Sequence, residues 1–174
     1  MKQCLIDSSS AILLYKSGLF RTLIEAYQIV MTASVFGELT VAGYPGAQEF
    51  VEYGATNVVI IQSPATNRLP EGLSNDGLPS LDRGERDTII CYERAEPDSF
   101  IITDDGKAAQ YCRRHGIPFI NALLFARIAY LSGMLPESDY HDTYAELTAI
   151  GRYSEEIISY AQQCSRMEIA FSLP

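Results

Sequence analysis

Short apolar runs recur along this chain, and longer stretches with helical periodicity lie between them. The runs are QCLI (3–6), QIVM (28–31), NVVII (57–61), FIIT (100–103) and IPFI (117–120). Most lack the apolar–polar alternation of a half-solvated strand, so they read as strands buried on both faces. Helices are predicted over 9–26 (broken at Gly18), 33–42, 45–54, 84–95 and 105–115. Short strands separated by helices predict an α/β fold, a parallel sheet with helices on both faces. After the last run the pattern is helical only, over 121–132, 137–149 and 153–168. Tyr140, Tyr144 and Leu147 fall at i, i+4 and i+7 there, the spacing of a packed face. The stretch QSPATNRLPEGLSNDGLPS (62–80) is too long and irregular for an ordinary connection, and it reads as a loop at a site.

A chain of 174 residues fits one domain with a good-sized core. Residues 1–132 carry the α/β pattern, and 133–174 read as a helical extension packed on the same domain. Thirteen Lys and Arg against 22 Asp and Glu give a net charge of −9. That balance argues against a general binder of nucleic acid or anionic membranes. It leaves room for a nucleic acid gripped by local basic residues or by metal ions. Cys4, Cys91, Cys112 and Cys164 form no CxxC pair, and no His lies at zinc-ligand spacing from them. They read as buried free thiols of a cytoplasmic protein. The opening MKQCLIDSSS has no signal-peptide segment. The most apolar helical stretch, NALLFARIAYLSGML, is too short to cross a membrane and carries Arg127. No GxxxxGK[ST] or GxGxxG motif points to nucleotide binding.

The acids carry the chemical signal. Asp7 follows the first apolar run directly, in LIDSSS, and Asp104 and Asp105 follow the fourth, in FIITDDGK. In an open parallel sheet, ligands bind outside the carboxyl ends of the strands. Glu38, in TASVFGEL, and Asp87, in LDRGERDTIICYE, come from early helix positions expected near the same edge. Each has a plainer reading. Asp7 suits the N-cap of the next helix. Glu38 suits a solvated helix face. Asp104 suits a cap and Asp105 a favourable place on the helix dipole. Asp82 and Glu85 have capping-box spacing, so Glu85 is expected to point toward its own helix start and away from the site. Together, acids from four separate segments converging on one edge need a cation. All-oxygen donors suit Mg²⁺ or Mn²⁺, and the natural chemistry is phosphodiester hydrolysis.

The order LIDSS, VFGEL, GERDTIICYE, then IITDD leading into RRHGIPFIN resembles the PIN-domain family of metal-dependent ribonucleases, VapC-like toxins among them. The resemblance covers about residues 3–130. It implies a three-layer α/β/α fold with a five-stranded parallel sheet, to which this chain adds C-terminal helices. It implies Mg²⁺ or Mn²⁺ held by Asp7, Glu38, Asp87 and Asp104, with Asp105 in support and Glu85 as the alternative to Asp87. Ser9 matches the hydroxyl residue two after the first acid, and Thr103 the one before the fourth-strand acid. The implied substrate is single-stranded RNA, and an antitoxin protein is an open partner. The long loop and the tail depart from a compact toxin.

Lys107, Arg83 and Arg86 stand near the acids, as phosphate contacts or as their salt-bridge partners. His115, after Arg113 and Arg114 and before Gly116, belongs to a last helical turn rather than to catalysis. His141 reads as solvated. The tyrosines read as core or as contacts of a homodimer, not as a base-stacking platform. Two rivals remain: a receiver-type phospho-acceptor domain and a catalytically silent binding module. A receiver domain places its acidic pair after the first strand and a Lys after the last. Here the pair follows the fourth, and IPFINALLF offers no Lys.

Overall fold

The strands are β1 (Gln3–Ile6), β2 (Gln28–Thr32), β3 (Val58–Ile61), β4 (Phe100–Ile102) and β5 (Phe119–Ile120). They form one parallel sheet in the order β3-β2-β1-β4-β5. The computed structural model describes residues 1–62, 73 and 76–168. The helices among them are α1 (Ser8–Lys16), α2 (Phe20–Ala26), α3 (Ala33–Leu39), α4 (Ala47–Thr56), α5 (Arg83–Tyr92), α6 (Gly106–His115), α7 (Ala122–Leu131), α8 (Glu137–Ile150) and α9 (Glu155–Gln163). A single 3-10 turn spans Leu78–Ser80.

Side chains of period two divide the sheet between two cores. Cys4, Ile6, Ile29, Met31, Phe100 and Ile102 face one layer, which draws on α1–α4 and α7–α9. Leu5, Val30 and Ile101 face the other, closed by α5 and α6. This is the three-layer α/β/α arrangement. The strand order also differs from that of flavodoxin-like receiver domains, in which β1 lies between β2 and β3.

Several expectations need correction. β3 is an edge strand, not one buried on both faces: Val59 is 42% and Ile60 38% exposed. Most of the 62–80 loop lies outside the described residues, so its reading as a site loop stays with the sequence. Its end is packed, with Leu78 and Leu81 buried in the smaller core. The last helix starts at Glu155, behind the N-cap Ser154, so Tyr153 is not helical.

Local signals explain other boundaries. The chain turns between α1 and α2 at Gly18, whose φ of 73° is open to glycine. α6 ends on Arg113, Arg114 and His115, with Gly116 left-handed behind them. His115 packs its ring against Tyr111, 4.2 Å away. The tail is part of the larger core. Tyr140, Tyr144 and Leu147 of α8 and Ala161 of α9 are buried in it. All four cysteines are buried, and none is in a disulfide. Among the described residues no helix is long and apolar enough to cross a membrane.

Candidate acidic site

β1 and β4 are neighbours, with Ile6 opposite Ile102. Asp7 and Thr103 therefore leave the sheet side by side, and the Asp7 amide donates to the Ile102 carbonyl at 3.3 Å. Chain order reverses about β1, the place where an open α/β sheet forms a crevice at its C-terminal edge.

Asp7 is 1% exposed. Its Oδ1 accepts from the Ser10 amide and the Ser9 hydroxyl, each at 2.8 Å, and so caps α1. Its Oδ2 is buried and makes no hydrogen bond of ordinary geometry among the described residues, although the Thr103 and Ser10 hydroxyls stand near the carboxylate. Capping and site readings thus apply to different oxygens of one carboxylate. Burial raises the Asp7 pKa, against the effect of the nearby Thr103 hydroxyl, the Ser10 amide and the Ser9 hydroxyl.

Asp104 is half-buried at the start of α7. Both its oxygens accept from the Ala122 amide, at 3.2 Å for Oδ1 and 3.1 Å for Oδ2. Oδ1 also accepts a short hydrogen bond from the Tyr153 hydroxyl. Burial pushes the Asp104 carboxyl up to about 6, and the Asp7 charge adds to this; the Tyr153 and Ser10 hydroxyls and the Ala122 amide oppose it. Asp105, not Asp104, caps the following helix: its Oδ1 accepts from the Lys107 and Ala108 amides at 2.8 Å. The Asp105 amide donates to Thr103 Oγ1 at 3.3 Å.

Glu38 and Asp87 are tied in through hydroxyls. Ser8, directly after Asp7, donates to Glu38 Oε2 at 2.5 Å. Asp87 is 5% exposed, and its Oδ2 accepts from Ser34 Oγ of α3 at 2.7 Å. The start of α5 comes close to Glu38 because residue 84 is glycine: a Cβ there would stand 3.2 Å from both Glu38 oxygens.

Glu85 departs from expectation. It does complete a capping box, accepting from the Asp82 amide at 2.9 Å. It also lines an open depression of about 340 Å³ together with Ser9, Asp104, Asp105, Gly151 and Arg152. Burial raises its carboxyl to about 7, and the charges of Asp105 and Asp7 add to the rise. Pointing toward the helix start and facing the acids are compatible because that helix start is itself at the site. Of the four acids expected at one edge, only Asp104 lines the depression: Asp7 lies buried behind it, Glu38 bonds to Ser8, and Asp87 faces α3.

The basic residues are partly committed. Arg83 Nε lies 3.7 Å from Asp87 Oδ2. Lys107 Nζ donates to the Ser80 carbonyl at 3.5 Å. Arg86 is half-buried on α5. Sequence reasoning missed Ser8, Ser34, Arg152 and Tyr153. The two serines had a signal, since they stand beside the acids in LIDSSS and TASVFGEL. Tyr153 had none, because it meets Asp104 from 49 positions away.

The donors are all oxygens, which suits a hard divalent cation. Among the described residues no three carboxylate, imidazole or thiol groups are gathered closely enough to enclose an ion as they stand. The chemistry of the set nonetheless fits one. Among the described residues Asp7 Oδ2 is a buried acceptor with no hydrogen bond of ordinary geometry, and Asp104 Oδ2 shares the Ala122 amide with Oδ1.

A family model described as a PIN domain matches residues 3–163. The chain is a PIN-domain protein. PIN domains are generally nucleases and typically use divalent metals. The match carries the PIN domain through α8 and α9, so the segment holding Arg152 and Tyr153 lies within it. A comparison with curated proteins finds no match.

Proposed function

We propose that this PIN domain is a phosphodiesterase that hydrolyses single-stranded RNA with Mg²⁺ or Mn²⁺. The observation that carries the reading is the buried Oδ2 of Asp7, without a hydrogen bond of ordinary geometry among the described residues, on the strand next to the one that delivers Asp104. A buried carboxylate oxygen without such a bond costs stability, and a cation offsets that cost. Asp7 and Asp104 are the central ligands in this reading, with Asp105, Glu38 and Asp87 completing or supporting the set. Glu85 belongs beside Asp104 and Asp105, because it lines the same depression as they do.

A bound Mg²⁺ or Mn²⁺ supplies Lewis acidity toward the phosphate and a nucleophile from water. Ser9 and the Ser10 amide fix Asp7 Oδ1, which leaves Oδ2 to face the ligand. The Ser8 and Ser34 hydroxyls orient Glu38 and Asp87 as acceptors. Among the described residues Arg152, which lines the depression, Lys107 and Arg86 are cations near the acids for an RNA phosphate; Arg83 would first have to leave Asp87. No histidine base is required in this scheme, and His115 is engaged with Tyr111.

The test is cleavage of a diverse single-stranded RNA pool by the purified chain with Mn²⁺ or Mg²⁺. Chelation should stop it. Asp104→Asn should abolish it while the far-ultraviolet circular dichroism stays that of the parent. Silence of the parent across the pool, with Mn²⁺ bound by calorimetry, would sink the nuclease reading in favour of a binding module.

A further inference from the structure

The α8–α9 connection reaches into the acidic site and makes a polar contact there. Tyr153 leaves α8 two residues after its C-cap Gly151 and directs its hydroxyl at Asp104 Oδ1. Its ring packs against the larger core. Gly151 makes room for that ring: a Cβ at residue 151 would stand 2.1 Å from Tyr153 Cε2. The neighbouring Arg152 lines the same depression as Asp104 and Glu85.

The two oxygens of Asp104 are thus unequal. Oδ1 takes both the phenol and the Ala122 amide, whereas Oδ2 shares that amide, with the Ser10 hydroxyl near the carboxylate as a further donor among the described residues. A backbone amide at a helix start is a fixed point, so the phenol sets the rotation of the carboxylate about it. We propose that Tyr153 is a positioning residue of the acidic site, holding Asp104 Oδ1 so that Oδ2 is presented to the divalent cation. This rests on the metal-dependent reading above. Partners that orient a metal ligand commonly govern affinity and activity by about 10- to 100-fold.

Tyr153→Phe removes the hydroxyl and keeps the ring, and Gly151→Ala displaces the ring while leaving the hydroxyl on it. Three quantities decide the matter on each variant: the Mn²⁺ Kd by calorimetry, kcat and KM on RNA, and the melting midpoint in EDTA. Tyr153→Phe should bind Mn²⁺ about tenfold or more weakly and lose kcat, with KM unchanged and the metal-free midpoint within a few degrees of the parent. Gly151→Ala should reproduce the Mn²⁺ defect, and combining the two should add little, because both act through one contact. A Tyr153→Phe chain with parental Kd and kcat overturns the positioning role and leaves the nuclease reading standing. A parent that binds no Mn²⁺ overturns both, and Tyr153 is then a structural contact read only in the EDTA midpoint.

Discussion

Asp7, Asp104 and Glu85 are each asked to do two things. Asp7 caps a helix with one oxygen and leaves the other without a hydrogen bond of ordinary geometry among the described residues. Glu85 closes a capping box and faces the acids. The tension is visible in the carboxyl groups, with Asp104 raised to about 6 and Glu85 to about 7, chiefly by burial. A carboxyl whose pKa is raised on folding binds its proton more tightly in the folded chain. These two groups therefore favour folding most below the ordinary carboxylate range, and their contribution is lost as pH rises through about 4 to 7. In EDTA, the urea midpoint should decline between about pH 4.5 and 7.5. Asp104→Asn and Glu85→Gln should each flatten the decline. A midpoint that rises over that interval in the parent would contradict the assignment.

At the scale of elements, the close packing of α3 on α5 holds Glu38 between the start of α5 and Ser8. Two glycines there make a paired prediction. Gly37, exposed in α3, has no heavy atom within 4 Å of an added Cβ. Gly37→Ala should therefore stabilise by about 0.5–1 kcal/mol in urea titrations, the usual gain for a helical glycine. Gly84 would meet Val35 and both Glu38 oxygens at 3.2 Å. Gly84→Ala should lose that gain or destabilise, because α3 must move or Glu38 must turn away. Equal stabilisation by both substitutions would show that the α3–α5 contact yields freely and does not fix Glu38.

For the whole molecule, the question is whether the tail is an appendage. α8 and α9 bury Tyr140, Tyr144, Leu147 and Ala161 against the same core as the sheet. Leu147 is 0% exposed, so Leu147→Ala should cost about 2–5 kcal/mol by urea titration. Losing the whole set exceeds what a fold stable by about 5–15 kcal/mol can absorb. A chain ending at residue 132 should therefore fail to give a cooperative melting transition. A cooperatively melting fragment would make the tail an independent addition to the PIN domain.

The sequence by itself determined the parallel α/β/α fold. Apolar runs without polar alternation, helical spacing between them, and the stops at Gly18 and Gly116 are local signals. It also singled out the acids, because Asp7 and Asp104 are read from strand ends, and a strand end in such a sheet is already a place. It was misled about β3, since a strand's position at the edge depends on which neighbours the sheet supplies. Its account of Glu85 was half right, because the capping spacing is local and the direction of the helix start is not. Only the tertiary structure decided which oxygen of each carboxylate stays open, and that Tyr153 holds one of them. Those facts depend on contacts between residues far apart in the chain, and nothing in GRYS announces a partner 49 positions earlier.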